Sequence, residues 1–462
     1  MKQNPLFVIL IVLAGSLLSC TASRHNFDPH KKYGPNQLKK DFLVFRTILE
    51  KDHPSIYWFT PRDSMDYFFD QALLQLNDSL TEPAFRNILS YVAEKIHCGH
   101  TSVQFSRQYT HYLDTAFRPV FPLSLKVWSD SMAVVANLIQ QDSLLKPGVV
   151  IHSINGWNSR SIIDSMQQYV VSDGRNLTGK WQSMSMRGSF GALFSNIYGL
   201  TDSFDIGYSN HSSIINYTRI PVYRPVRDTT EHKKPEKKSK EKELPRYLEL
   251  NQARNVQIDT TLSSAYLTLN TFSRGNRLRS FFRKSFRVMN EHHIKNLVVD
   301  VRSNGGGDAG LSTLLTAYLA DKKFKLADSL YTNRRSLSYA RYISKSKLYW
   351  AASLLVTRKR NDGHFHFGYF ERHYFKPRKK HHFNGNIYII TGGNSFSATT
   401  LFTKILQGQK NVLVVGEETG GGSYGNTAWM IPEATLPETH LRFRLPRFRL
   451  VMDPAALLSA RG

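Results

Sequence analysis

Apolar residues recur at three- and four-residue spacing through the first hundred positions and then change to alternation, which predicts helices followed by strands. Leu38, Phe42, Phe45 and Leu49 make one helical face and Phe68, Ala72, Leu73 and Leu76 another, while a third helix, over 85–96, opens at the capping pattern Thr81-Glu82-Pro83. The pattern switches to strand at Cys98-Gly99-His100-Thr101-Ser102-Val103. Residues 118–223 read as strand-rich, with strands at 123–127 and 132–136. There, Pro147-Gly148 and Asn155-Gly156 turns bracket an apolar run that leads into an amphipathic segment, 161–169. From 264 onward strand and helix alternate: strand 264–269, basic helix 277–291, strand 296–302, helix 311–320, strand 386–390, a short amphipathic helix and strand 412–415. This order predicts an α/β domain with a largely parallel sheet, interrupted by a polar and aromatic insertion over 322–383.

At 462 residues, 41% hydrophobic and 12% aromatic, the chain has material for two or three globular domains. Met1 and Lys2 precede an apolar run over 6–13 that continues to Leu17-Leu18-Ser19-Cys20, too short to span a bilayer comfortably and shaped like an export signal. Its end resembles a bacterial lipobox, so the expectation is a mature chain lipidated at Cys20 and held in the cell envelope on the export side of the membrane. Cys98 is then the one remaining cysteine; no intramolecular disulfide is available to it, and it reads as a small buried residue. The formal charge of +25 points, behind an export signal, to anionic lipid, envelope polymers or acidic peptide termini, with no nucleic-acid partner expected. The apolar-free run 231–243 reads as a solvated linker.

Candidate chemistry concentrates in three places. In Asn394-Ser395-Phe396-Ser397-Ala398-Thr399-Thr400 a strand, a tight turn and a helix start meet at a serine, a geometry that lifts Oγ clear of the sheet beside helix-terminal amides. The plain alternative is a serine N-cap. Strand 296–302 runs into Ser303-Asn304-Gly305-Gly306-Gly307-Asp308, where glycines let backbone amides face a ligand; no Gly-Lys-Ser or Gly-Lys-Thr follows, so phosphate binding is weakly supported. His364, His366 and His373 lie in an alternating aromatic segment without metal-ligand spacing, and are expected to point outward from a lid strand.

Asp300-Val301-Arg302-Ser303-Asn304-Gly305-Gly306-Gly307, the Ser397 turn, and Val414-Val415-Gly416-Glu417-Glu418-Thr419-Gly420-Gly421-Gly422 stand in the order and spacing of the C-terminal processing, or tail-specific, serine peptidases, which the chain resembles. That superfamily includes the tricorn core protease and the retinoid-binding-protein repeats. The resemblance implies a crotonase-like (Clp-protease-like) α/β catalytic domain over 247–462, a PDZ-like β-rich domain over 116–228 and an N-terminal helical domain over 20–115, behind a leader at 1–19 and with a charged linker at 229–246. It implies Ser397 as nucleophile, with oxyanion-hole amides from Ala398 and from Gly305 or Gly306. The lysine that Ser-Lys members carry twenty-five residues beyond the serine falls on Gly422, and Lys404 lies about 10 Å along the helix. Gly99-His100-Thr101 instead resembles the tricorn-like Gly-His-Thr motif, which makes His100 the expected base. Glu417, Glu433, Glu438 and Asp453 are the candidates to orient it. The chain stops at Arg461-Gly462 without the family's Gly-Val-x-Pro-Asp closing segment, so the domain is expected to be cut short. The expected function is a serine endopeptidase of exported or envelope proteins, working through an acyl-enzyme, with no cofactor and no metal. Its expected partners are a peptide or protein substrate and, through Cys20, a membrane. The competing reading is a non-catalytic peptide- or lipid-binding lipoprotein on the same fold.

Overall fold

A computed structural model describes residues 27–210, 214–225 and 245–454. The leader with Cys20, the charged run and the last eight residues lie outside the described residues. Among the described residues, no helix is long and apolar enough to cross a membrane.

The N-terminal helices form where the apolar spacing predicts, as Pro35–Asp52, Arg62–Leu74 and Glu82–Glu94. Thr81 caps the third: its side chain accepts from the Ala84 amide, with Pro83 in the first turn, where its missing N–H costs nothing. Their buried face does not close on itself. Leu38, Phe45, Phe85 and Leu89 share one core with Ala434, Leu436, Leu441 and Phe443, and the Phe45 and Phe443 rings meet edge-on at 5.0 Å. The end of the chain therefore completes the beginning.

The middle segment builds an antiparallel sheet from Leu123–Val127, Met132–Asn137, Val150–Ile154, Ser203–Ser209 and Asn216–Pro221, with Trp157–Asn158 paired beside it. Gly148 and Gly156 take φ of +95° and +83° at the two turns, conformations that glycine adopts without strain. The amphipathic segment 161–169 forms helix Ser159–Met166, and two unexpected helices, Thr178–Ser185 and Ser189–Tyr198, also pack on the sheet, where Met184, Phe190 and Phe194 bury into the same core as Leu125 and Phe204.

The central sheet orders its strands as Arg254–Asp259, Ser264–Leu269, Asn296–Asp300, Asn386–Thr391 and Val412–Gly416. The first pair is antiparallel and the remaining pairs are parallel, with Val299 opposite Ile389. Leu297, Val299, Ile387 and Ile389 pack against Phe282 and Phe286 of helix Leu278–Glu291, and Leu315 of helix Ala309–Leu319 and Phe402 of helix Ala398–Leu406 complete the core. The insertion is partly ordered into the core fold. Its strand Ser329–Thr332 pairs with Phe448–Val451, which pairs in turn with Gly425–Ala428, and helix Ser346–Val356 follows.

Candidate active site

Neighbouring parallel strands deliver two loops to one sheet edge, the place where open α/β sheets bind ligands. Asn296–Asp300 ends in the glycine turn and Asn386–Thr391 in the serine turn. The loops are joined directly: Ser395 Oγ donates to the Val301 carbonyl at 2.8 Å and the Phe396 amide to the Asn304 carbonyl at 3.1 Å. Ser397 sits at φ +58°, ψ −117°, immediately before helix Ala398–Leu406. A residue other than glycine held there costs about 1–3 kcal/mol, a strain characteristic of functional turns. It is held from below by Gly420 and Gly421. The Gly420 amide donates to the Ser395 carbonyl at 3.0 Å, and a Cβ on Gly421 would lie 2.5 Å from Thr400 Oγ1.

His100 arrives from the other end of the chain. Strand Val103–Gln104 pairs with Arg442–Arg444, and the Arg444 amide donates to the Ser102 carbonyl at 3.1 Å. His53 secures the same segment. Its Nδ1 accepts from the Ser55 amide at 3.2 Å, which places its proton on Nε2, 2.9 Å from Thr101 Oγ1. The absence of a side chain at Gly99 makes room for the Phe396 ring, whose atoms would lie 2.8 Å from a Cβ there, and that ring covers the His100 imidazole with centroids 4.6 Å apart. His100 Nε2 then lies 3.0 Å from Ser397 Oγ. Burial, reinforced by the Arg444 charge, pushes His100 down to about 3, so the imidazole is neutral and one of its ring nitrogens carries a free lone pair.

The amides around Ser397 divide unequally. The Ala398 N–H opens the helix and has no acceptor within it. The Gly306 N–H already bonds Asn304 Oδ1 at 3.0 Å, so Gly306 contributes closeness rather than a free donor: a Cβ there would lie 2.9 Å from Ser397 Cβ and 3.0 Å from the Ala398 nitrogen. Gly307, at φ +138°, lines a cavity of about 630 Å³ together with Ser397, Ala398, Leu401, Trp429 and Met430. Tyr349 also borders it, so the insertion shapes this cleft.

None of the four acidic candidates reaches His100, whose Nδ1 has no hydrogen-bond partner. Glu433 pairs with Arg442 and Arg107, Glu438 with Lys40, Glu417 with Lys126 and Asp453 with Lys404. Each is drawn to a cation on its own surface, as the excess of basic residues favours. His366 also differs from expectation. It is buried, with Nδ1 2.7 Å from Glu371 Oε1 and Nε2 2.7 Å from Asp362 Oδ2, while His364 stacks on Tyr331. Cys98 is buried beside the Thr427 carbonyl, and burial pushes its thiol up to about 12, away from nucleophilic use. Among the described residues, Cys98, His100 and Asp173 are the one group whose ligand atoms lie within 4.8 Å of one another. With that thiol protonated and Nε2 facing Ser397, the set is poorly suited to a metal ion. Asp173, His53 and Tyr424 are the members of this centre that no motif marks; the turn-like Ser172-Asp173-Gly174 is the only sequence signal among them.

Residues 263–447, which hold the glycine turn and the serine turn, match the model of peptidase family S41, and the match supports a serine-type peptidase. Mature CPAF complexed with lactacystin superposes with a TM-score of 0.58 at 12% identity, covering 90% of each chain. Mature CPAF alone gives 0.57 at 12% identity over 90% of this chain and 89% of that one, and both similarities concern the fold. The photosystem II D1 C-terminal processing protease aligns at 10% identity over 90% of both chains with a TM-score of 0.40. No curated protein sequence matches the chain significantly.

One prediction concerns acid stability. His53 is buried and pushed down to about 3, whereas an unfolded histidine protonates near 6.5. Between those values the unfolded chain binds a proton that the folded chain refuses, so stability is complete above about 6.5 and is lost as pH falls. Urea unfolding at pH 4.5, 5.5 and 6.5 should show a steeper decline for the wild type than for His53→Gln, by up to about 1.4 kcal/mol per pH unit. Parallel declines would contradict a neutral buried His53.

Proposed function

We propose that the chain is a serine endopeptidase that works through an acyl-enzyme on Ser397 with His100 as general base. The observation that carries this reading is the 3.0 Å approach of His100 Nε2 to Ser397 Oγ on a strained strand-to-helix turn. Ser397 Oγ attacks the peptide carbonyl carbon while its proton passes to His100 Nε2. The Ala398 amide and a donor from the glycine turn face the tetrahedral oxyanion, each such donor contributing roughly 3 kcal/mol. Collapse breaks the C–N bond as His100 returns the proton to the leaving amine, and water then hydrolyses the ester by the same route in reverse. The central sheet fits a crotonase-like domain, and the middle sheet with its bracketing turns fits a PDZ-like one. Substrates are peptides or proteins of the export side, where the leader and Cys20 would anchor the enzyme by lipid.

The test is a fluorophosphonate probe on the purified mature protein, with the modified peptide mapped by mass spectrometry. Modification is expected at Ser397 alone and is expected to vanish in Ser397→Ala. A folded wild-type protein that stays unlabelled would favour the peptide- or lipid-binding reading.

A further inference from the structure

Behind the serine and imidazole, three side-chain atoms are buried without a hydrogen-bond partner: His100 Nδ1, Asp173 Oδ2 and Tyr424 Oη. They belong to one small region. A ring nitrogen of His100 and a carboxylate oxygen of Asp173 lie within 4.8 Å of each other, and burial, with the Asp173 charge nearby, raises the Tyr424 phenol. A buried acceptor and a buried donor each left unpaired cost about 1–3 kcal/mol, and an anionic acceptor costs more. A donor and an acceptor left unpaired in one region are each other's natural remedy.

We propose that Asp173 is the positioning acid of His100, its Oδ2 accepting the Nδ1 proton so that Nε2 stays free for Ser397; this rests on the Ser397 and His100 reading above. The carboxylate is already aimed. Its Oδ1 accepts from the Gly99 amide at 2.8 Å, one residue before His100, and the Gly422 amide is also turned toward the group. Asp173 is therefore bound to the histidine segment and to the glycine run beneath the serine turn together. Burial pushes its carboxyl up to about 7, so the anion needs a donor, and an imidazole N–H supplies one. The remaining gap is of the kind that closes in a substrate complex, where catalytic hydrogen bonds tighten. Asp173 follows the short helix Gln167–Tyr169 in the middle segment, so all three parts of the chain would contribute to one centre.

Asp173→Asn tests this. It keeps Oδ1 for the backbone donors and replaces Oδ2 with an NH₂ group. That group donates to Nδ1, which forces the proton onto Nε2 and removes the base. The expected outcome is a 10²- to 10⁴-fold loss of kcat with KM changed less than about threefold and an unaltered melting temperature. In ¹⁵N spectra of labelled histidine, with His100 assigned by its absence in His100→Gln, wild type should carry the proton on Nδ1 and Asp173→Asn on Nε2. The same tautomer in both proteins, or unchanged turnover in the variant, would overturn the proposal. The spectrum decides this even if the chain cleaves nothing, because probe labelling at Ser397 reports separately on the nucleophile.

Discussion

Ser397→Ala and His100→Ala should each lower kcat for peptide hydrolysis by about 10⁴- to 10⁶-fold, and the double variant should be no worse than the poorer single one. The reason is geometric. In the proposed mechanism the imidazole, with Nε2 3.0 Å from Oγ, takes the hydroxyl proton, and the hydroxyl is a weak nucleophile until it does. Removing either leaves the other idle, so their contributions cannot add. Most of the cavity at Ser397 is lined by other residues, among them Leu401, Trp429 and Met430, so KM is expected to hold. Single-turnover measurements on the four proteins check this. A double variant much slower than both singles would mean that serine and histidine act independently, which the structure contradicts.

Gly422→Lys places lysine where the Ser-Lys members of the superfamily carry theirs, and it should fail both as a rescue and as a fold. A Cβ at 422 would lie 2.4 Å from Tyr424 Cζ and 2.7 Å from its hydroxyl. Tyr424 is fully buried and cannot swing aside, since its ring is met edge-on by Trp58 and at 66° by Phe59, both at 5.3 Å. Overpacking of this kind costs about 1–3 kcal/mol or more. The expected result is a melting temperature lower by several degrees, with no activity restored when the substitution is added to His100→Ala. A stable, active His100→Ala/Gly422→Lys protein would show that the lysine chemistry is still open to this chain. The Tyr424 ring thus occupies the space that any side chain at 422 would need.

What the sequence discloses and what it conceals follow physical range. The parallel strands, the N-terminal helices, the serine turn and the Gly-His-Thr segment are written locally, in apolar period and turn chemistry, and all appear. The strand Arg254–Asp259 is hidden because only Val256 and Ile258 alternate within a polar stretch. Helices Thr178–Ser185 and Ser189–Tyr198 carry apolar side chains at mixed spacing beside strong strand signals. The link between Ser397 and His100 is legible only because each lies in its own motif. Asp173 lies in no motif, and its burial depends on Gly99 and the glycine run closing over it from both sides. Acidic residues near the chain's end looked suited to orient the histidine by position alone, but local cations claim them.

Ser397 and His100 stand 297 residues apart, and His100 leads into a strand that pairs with Arg442–Arg444. A ribosome must therefore finish almost the whole polypeptide before the two can meet. Contacts of such separation form late, after the local helices and turns. Nascent chains, and fragments clipped before residue 442, would carry an intact serine turn with no imidazole beside it. Any reactivity that needs both side chains would therefore wait on the order of the chain itself.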